Sequence, residues 1–299
     1  MIIEKELKPF VRSGVAVSVE LQKIWHVELD LLSKLVEVLD RNNIRYFIGG
    51  GTLLGAVRHG GFIPWDDDID IMMFRDDYEK LLSIASQEFC EPYFFQTAYT
   101  DYGYFRGHAQ LRRSDTTGML SYEADKVPFH QGIFIDIFPL DAVPDDPKAA
   151  QNQRQRLRNW NRTLNSGVRR SNSREHNPIV HTIRKSAANL IAFFYPYHKQ
   201  YRKMEQICKE YNGKGQVRVG LLSFDPNNSR FQWHKKYFEE TVMLPFENLT
   251  LCAPKDYHRI LKKMYGDYMT MRREPNYHGK TIFDTEVGYR EYLSKLSKK

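Results

Sequence analysis

Residues 46–73 read YFIGGGTLLGAVRHGGFIPWDDDIDIMM, and this stretch decides the fold. The β-branched and aromatic run at 44–48 predicts a short strand that ends in three consecutive glycines. Residues 52–58 then predict a brief helix, and the alternating segment 68–74 predicts a second strand. A strand that leads into a glycine turn is typical of loops that handle phosphate groups.

The second strand carries two aspartates on one face. Because side chains alternate along a strand, Asp68 and Asp70 should project together while Ile69 and Ile71 enter the core. Carboxylates this close repel one another unless a cation neutralises them, and oxygen ligands suit Mg²⁺ or Mn²⁺. An isolated pair of this kind also occurs in surface turns, but the glycine loop just upstream favours a metal site.

A third aspartate lies at the centre of another apolar strand. The segment GIFIDIF at 132–138 surrounds Asp136 with Ile and Phe side chains. A buried carboxylate is costly unless it is paired or bound to metal. We therefore expect Asp68, Asp70 and Asp136 to be both the metal ligands and the catalytic residues. Asp136 is also a candidate to accept the proton of an attacking hydroxyl.

The glycine loop is a candidate binding site for a substrate phosphate. Gly50 and Gly51 offer backbone N–H groups, and a helix that starts at Thr52 adds the positive end of its dipole. The Thr52 hydroxyl could donate to a phosphate oxygen. A plain tight turn and a helix cap explain the same residues.

Four further side chains are candidates for substrate binding. Arg58 and Arg112 could neutralise a pyrophosphate, since guanidinium groups bind phosphate through paired hydrogen bonds. Trp65 could stack on the substrate or simply pack in the core. Gln96 could line the site or only end a strand.

The rest of the chain predicts an α+β fold, in which a mixed sheet is flanked by helices. Apolar residues at helical spacing predict a helix over 21–39, and a second helix is predicted at 75–89. A β-rich stretch covers 93–120, and Pro139 and Pro144 should end the strand at 132–138. We divide the chain into a catalytic core at 1–146, a basic helical region at 147–218 and a C-terminal region at 219–299 that completes the catalytic domain.

Composition excludes several classes of protein. The N-terminus has no apolar stretch of the kind found in secretory signals, and no apolar segment approaches the roughly 20 residues needed to span a bilayer. We therefore expect a cytoplasmic protein. The three cysteines are widely separated, which argues against disulfides and zinc sites and predicts reduced, buried thiols.

Positive charge is concentrated in one segment. Residues 151–218 contain 15 Lys and Arg against three Glu, a local charge of +12 in a chain of net charge +7. An apolar patch at 187–197 lies within this segment. The combination predicts peripheral docking on an anionic inner membrane face, and a helix packed on the catalytic core is the alternative.

Three blocks of sequence resemble the LicD family of phosphotransferases. They are residues 46–73, GIFIDIFPLDAVPD at 132–145, and FEETVMLPFENLTLCAPKDYHRILKKMYGDYM at 238–269, which includes YGD at 265–267. The chain departs from the family pattern after YGD, where a Pro-Pro step and a His pair are replaced by MRREPNYHG.

The resemblance implies a nucleotidyltransferase-like fold and transfer of phosphocholine from CDP-choline to a cell-surface glycan, a lipid-linked glycan or a teichoic acid precursor, with release of CMP. Similar eukaryotic members transfer ribitol phosphate from CDP-ribitol. Asp68 and Asp70 match the family's metal-binding pair, and Asp136 matches its third acidic position.

Other functions fit parts of the pattern. The donor could carry ribitol, glycerol or ethanolamine phosphate instead of phosphocholine. The same acids could direct nucleotidyl transfer from an NTP, with release of pyrophosphate. The basic segment could belong to a non-enzymatic nucleic-acid-binding or scaffold protein, although the presence of all three acids argues against this, and we do not expect a nucleic-acid partner.

Overall fold

The computed structural model describes residues 7–124, 127–172, 197–272 and 281–296. Its helices are α1 (Val19–Arg41), α2 (Gly50–His59), α3 (Arg75–Glu88), α4 (Pro147–Asn172), α5 (Tyr197–Lys209), α6 (Tyr257–Tyr265) and α7 (Tyr289–Leu296). Its strands are β1 (Phe10–Arg12), β2 (Val15–Val17), β3 (Phe47–Ile48), β4 (Asp70–Phe74), β5 (Tyr93–Gln96), β6 (Ala109–Arg113), β7 (Thr117–Leu120), β8 (Ile133–Val143), β9 (Arg218–Gly220), β10 (Gln232–His234), β11 (Thr241–Phe246), β12 (Leu249–Pro254) and β13 (Thr281–Asp284).

The main sheet is organised around β8. Within the described residues it has seven strands, in which β4 runs parallel to β8 and β3 lies antiparallel beyond β4. On its other side, β8 pairs with β6 along its first half and with β9 along its last residues, antiparallel in both cases. The sheet is therefore mixed, which confirms the predicted α+β fold.

Strand β8 runs through Pro139, so the prediction that it ends there is wrong. Its pairing with β6 stops at Ile137, and its pairing with β9 begins at Asp141. Pro139 lies in the gap between the two partners, where a strand tolerates a residue without an N–H group. The strand therefore continues for 11 residues.

Helix α1 packs its apolar stripe into the main core. Ser18 caps its N-terminus by accepting a hydrogen bond from a backbone N–H three residues on. Leu31, Leu32 and Leu35 are fully buried, in the same apolar cluster as Ile135 of β8. Each such leucine stabilises the fold by about 1.5–3 kcal/mol, so this helix forms as predicted.

The chain after β8 remains attached to the same sheet. Arg75 at the start of α3 donates to Asp141 of β8 at 2.5 Å and to Glu205 of α5 at 3.2 Å, and these three side chains are buried. Strands β9 and β10 then join the main sheet, and β13 pairs with β7. Segments far along the chain, β9 and β10, are thereby brought into the same sheet as β8.

The cysteines are all free, but the prediction that all three are buried is wrong. Cys208 is buried and Cys252 is half-buried, whereas Cys90 is exposed because it lies in the connection between α3 and β5. Within the described ranges, no helix is long and apolar enough to cross a membrane.

Some sequence predictions lie outside the described residues. The apolar patch proposed for membrane docking lies there except for its last residue, Tyr197, and so does most of the segment that departs from the family pattern after the YGD sequence.

Candidate active site

A cavity of about 510 Å³ opens where α2, the start of β4 and the C-terminal segments meet. Asp66, Asp68 and Asp70 line it beside Gly50 and Gly51. Arginine and aromatic side chains also line it: Arg58, Arg230, Arg272, Trp65, Phe138, Phe224, Phe231, Trp233, Tyr265 and Tyr268. A single ligand in this cavity would therefore contact negative charges, positive charges and apolar surface.

The paired aspartates occupy the N-terminal end of β4. The strand begins at Asp70 rather than at Asp68 as predicted, because pairing with β8 starts there. The alternation nevertheless holds across the boundary: Ile69 and Ile71 are fully buried, while both aspartates line the cavity.

Asp136 lies beside this pair on the neighbouring strand. It is the register partner of Asp70 in the parallel pairing of β4 with β8. Its carboxylate is buried and accepts hydrogen bonds from Gln110 Nε2 at 2.7 Å and His108 Nε2 at 3.1 Å. The structure thus places Asp136 beside Asp70 on the adjacent strand and holds it in a fixed orientation, although Asp136 is absent from the cavity lining that includes Asp68 and Asp70.

The glycines let the acids approach the loop closely. A Cβ atom on Gly50 would lie 1.9 Å from Asp70 Oδ2, and one on Gly51 would lie 2.5 Å from Asp66 Oδ2. Gly50 also has φ +47°, which favours glycine. Larger residues at either position would displace a carboxylate, so the glycine loop and the acids form one structural unit.

Thr52 is a buried residue that links the glycine loop to β4. Its side chain is buried, and its Oγ1 accepts a hydrogen bond of 2.8 Å from the backbone N–H of Asp70. Thr52 therefore fixes the position at which β4 begins, and it is absent from the cavity lining.

Burial and the neighbouring acids raise the pKa of Asp66. Burial, and after it the charges of Asp68, Asp70 and Asp67, raise the pKa of Asp66 well above its usual range. A side-chain hydrogen bond to Asp68 acts in the same direction. This cluster therefore binds protons or a cation in preference to remaining fully ionised.

Glu28 is an acidic residue of this region that sequence reasoning missed. It is buried on α1, and neither of its carboxyl oxygens has a hydrogen-bond partner among the described residues. Burial, and then the charge of Asp68, raise its pKa well above the usual range. The available signal was its spacing, because Glu28 falls on the apolar stripe between Trp25 and Leu32.

Arg58 lies in the cavity as predicted, held by two neighbours. Its Nε donates to His59 Nε2 at 2.9 Å, and its Nη1 donates to the carbonyl oxygen of Tyr268 at 3.2 Å. Burial, and then the charge of Arg58, lower the pKa of His59 to about 4, so His59 is a neutral acceptor at pH 7. The guanidinium is therefore oriented in advance. Trp65 also lines the cavity while packing partly against the core.

The C-terminal part of the chain supplies cations that the sequence did not single out. Arg230 and Arg272 line the cavity, together with Tyr265 and Asp267 of the YGD sequence. Asp267 accepts a hydrogen bond of 2.6 Å from the Thr270 hydroxyl, which holds the turn after α6. These residues reach the acids only through the folding of distant segments onto β8.

Arg112 and Gln96 lie in the core instead of the cavity lining. Arg112 is buried and donates to the Gln96 side chain, to the carbonyl oxygen of Gly132 at 2.6 Å and to Gln110 Oε1 at 2.6 Å. Gln96 is fully buried and donates in turn to Asp101 Oδ2 at 2.6 Å. This network orients Gln110, which together with His108 donates a hydrogen bond to Asp136.

The donor chemistry of the site fits a divalent cation. Asp66, Asp68 and Asp70 share one wall, and the unpartnered oxygens of Glu28 lie in the field of the same acids. No three His, Cys, Asp or Glu side chains in the described part of the chain are already arranged as a ligand set. Carboxyl groups with raised pKa values, here Asp66 and Glu28, release protons when they bind metal, so Mg²⁺ or Mn²⁺ would assemble the set on binding.

Comparisons with known proteins point to one group of transferases. Residues 43–156 match the family model described as LicD/FKTN/FKRP, nucleotidyltransferase domain. This range contains the glycine loop and all three predicted acids.

The chain is 31% identical over 247 residues to the lipopolysaccharide cholinephosphotransferase LicD of Haemophilus influenzae, a match that covers 82% of this chain and 90% of that protein. It is 49% identical over 43 residues to the ribitol 5-phosphate transferase FKRP of Homo sapiens, which covers 14% of this chain and 9% of that protein. An uncharacterised protein of Rickettsia prowazekii is 47% identical over 70 residues, 23% of this chain and 24% of its own length.

Proposed function

Because the chain belongs to the LicD family of phosphotransferases, we propose that it transfers phosphocholine from CDP-choline to a hydroxyl group of a glycan, with release of CMP. The cholinephosphotransferase of Haemophilus influenzae matches 82% of the chain, which supports choline as the alcohol of the donor. The acceptor would be a cell-surface glycan or its lipid-linked precursor.

One observation of the structure carries this proposal. Carboxylates and guanidinium groups line the same cavity, in which Asp68 and Asp70 lie beside the glycine loop and Arg58 is held by neutral partners. A CDP-alcohol has a doubly charged pyrophosphate between two organic groups. The arginines would bind its phosphate oxygens directly, and a cation at the carboxylates would bind them from the other side.

The reaction we infer is an in-line displacement at the phosphorus that carries choline. The acceptor oxygen forms the new P–O bond, and the bond from this phosphorus to the bridging pyrophosphate oxygen breaks. CMP leaves with that oxygen. Such transfers need little covalent help from the protein, so positioning and charge stabilisation provide most of the rate.

The protein's contribution to proton transfer would come from Asp136. Hydrogen bonds from Gln110 and His108 to one carboxylate oxygen fix its direction. An ionised carboxylate beside the acid pair is suited to accept the proton of the attacking hydroxyl.

The proposed cofactor is Mg²⁺ or Mn²⁺. Asp68, Asp70 and Asp136 would hold it, because carboxylate oxygens are its preferred ligands. When bound, the ion would neutralise charge on the phosphate oxygens.

Incubation of the purified protein with CDP-choline, CDP-ribitol, CDP-glycerol and CDP-ethanolamine tests the donor. We expect CMP release to be fastest from CDP-choline and to depend on added Mg²⁺ or Mn²⁺. Preference for CDP-ribitol would contradict the proposed donor, and so would release of pyrophosphate from an NTP with no reaction of the CDP-alcohols.

A further inference from the structure

Three phenylalanine rings surround one end of the cavity. Phe138 and Phe224 have ring centroids 5.4 Å apart at an interplanar angle of 69°. Phe224 and Phe231 are 5.3 Å apart at 76°. All three line the cavity. Because each ring is steeply inclined to the next, they form an aromatic corner and not a flat stacking surface.

The aromatic corner lies one step along the sheet from the acids. Phe138 follows Asp136 by two residues on β8, and its register partner Met72 follows Asp70 by two residues on β4. Residues two apart project from the same face, about 6.6 Å apart along a strand. A row of acids is therefore followed by an apolar and aromatic row on the same side of the sheet.

This spacing matches the shape of phosphocholine. Its phosphorus and its quaternary nitrogen are joined through one oxygen and two carbons, which span a comparable distance. A phosphate at the acidic end, with its cation or arginine partners, would place the trimethylammonium group at the corner formed by Phe138, Phe224 and Phe231.

The chemistry of the corner selects among the alcohols that a donor can carry. A quaternary ammonium cannot donate hydrogen bonds, and ring faces attract it electrostatically. The hydroxyl groups of ribitol or glycerol need hydrogen-bond partners, and phenyl rings provide none, so burying them here is unfavourable.

We propose that Phe138, Phe224 and Phe231 form the subsite for the trimethylammonium group and determine the preference for choline. This inference rests on the proposed phosphocholine transfer and adds to it the residues that distinguish choline from neutral alcohols.

Phe224 is the best position for a test because it is exposed and lies outside the buried apolar clusters. The variants are Phe224→Leu, which keeps apolar volume without a ring, and Phe224→Tyr, which keeps the ring. Tyr102→Leu is the matched control, since Tyr102 is exposed and absent from the cavity lining. Calorimetry measures the binding of phosphocholine and of 3,3-dimethylbutyl phosphate, which has the same shape with carbon in place of the charged nitrogen.

We expect the wild-type protein to prefer phosphocholine. Phe224→Leu should reduce the ratio of the two affinities by about 2- to 30-fold, the range given by one cation–π contact. Phe224→Tyr should restore the ratio, and Tyr102→Leu should leave it unchanged.

Equal affinities of the wild-type protein for phosphocholine and for 3,3-dimethylbutyl phosphate would overturn the subsite. An equal loss of affinity for both ligands in Phe224→Leu would also overturn it. Weakened binding of CMP with unchanged phosphocholine binding would assign the rings to the cytosine base and would also overturn it. If the protein still releases CMP from CDP-choline in any of these three cases, the proposed function stands. If CDP-choline releases no CMP, the proposed donor fails and the subsite fails with it.

Discussion

Replacement of Gly50 by alanine tests whether the glycine loop and the acids form one site. Gly50 has φ +47°, and the added Cβ would lie 1.9 Å from Asp70 Oδ2. Ordinary contact begins at 3.4 Å, so the oxygen must move away by about 1.5 Å. The left-handed backbone conformation adds strain of about 1–2 kcal/mol.

Displacement of a catalytic group by about 1 Å can cost about 100-fold in rate. We therefore expect Gly50→Ala to lose about 100-fold or more in kcat/KM for CMP release, while its free energy of unfolding falls by only about 1–2 kcal/mol. Gly60→Ala is the matched control. Gly60 has φ +63° with no atom within 4 Å of its added Cβ, so this variant has the same kind of strain without the collision.

Urea unfolding measures the stability of both variants, and initial rates of CMP release at equal folded protein measure their activity. We expect similar losses of stability and very different activities. Equal activity of Gly50→Ala and Gly60→Ala would refute the reasoning, because the collision with Asp70 would then have no consequence for catalysis.

Three further substitutions test separate parts of the structure. Above pH 4.5, the usual pKa of glutamate, the folded state retains a proton on Glu28 that the unfolded state loses, so the free energy of unfolding should fall as the pH rises. Glu28→Gln removes this pH dependence. In urea unfolding with EDTA, the gain in stability of Glu28→Gln over the wild-type protein should therefore be larger at pH 8 than at pH 5. Arg75→Met leaves Asp141 buried without its ionic partner and should cost about 3–5 kcal/mol in the same assay, whereas a change below about 1 kcal/mol would contradict the importance of this ion pair. Arg58→Lys removes the planar donor of the cavity and should raise KM for the CDP donor by about tenfold with little change in stability, and an unchanged KM would exclude contact with the pyrophosphate.

The acidic centre of the site could be predicted because strand periodicity acts over a few residues. The alternation of Asp68 and Asp70 with buried isoleucines requires no knowledge of the rest of the chain. Asp136 could be predicted for a related reason, since a carboxylate inside an apolar strand calls for a partner. The boundary of β4 was less predictable, because it depends on where β8 begins to pair with it.

The limits of sequence reasoning are clearest at Arg112 and Glu28. Arg112 is predicted to bind phosphate because guanidinium groups do so through paired hydrogen bonds, but the tertiary structure places it in a buried network that only orients the site. A glutamate in a helix is usually exposed, and only the position of Glu28 on the apolar stripe indicates that it is buried. Arg230 and Phe224 carry no local motif, and their approach to the acids depends on the pairing of β9 with β8.

The central claim is that the acids at the start of β4 carry out transfer from CDP-choline, and Asp70→Asn tests it most directly. This substitution preserves shape and removes the charge beside the glycine loop. Asp76→Asn is the control, because Asp76 is an exposed aspartate on α3 outside the cavity lining.

The decisive measurement is the rate of CMP release from CDP-choline by the wild-type protein and these two variants, with Mg²⁺ and with EDTA. We predict Mg²⁺-dependent release by the wild-type protein and by Asp76→Asn, and a loss of at least about 10-fold in folded Asp70→Asn. Release by Asp70→Asn at the wild-type rate, or wild-type release unaffected by EDTA, would contradict the account.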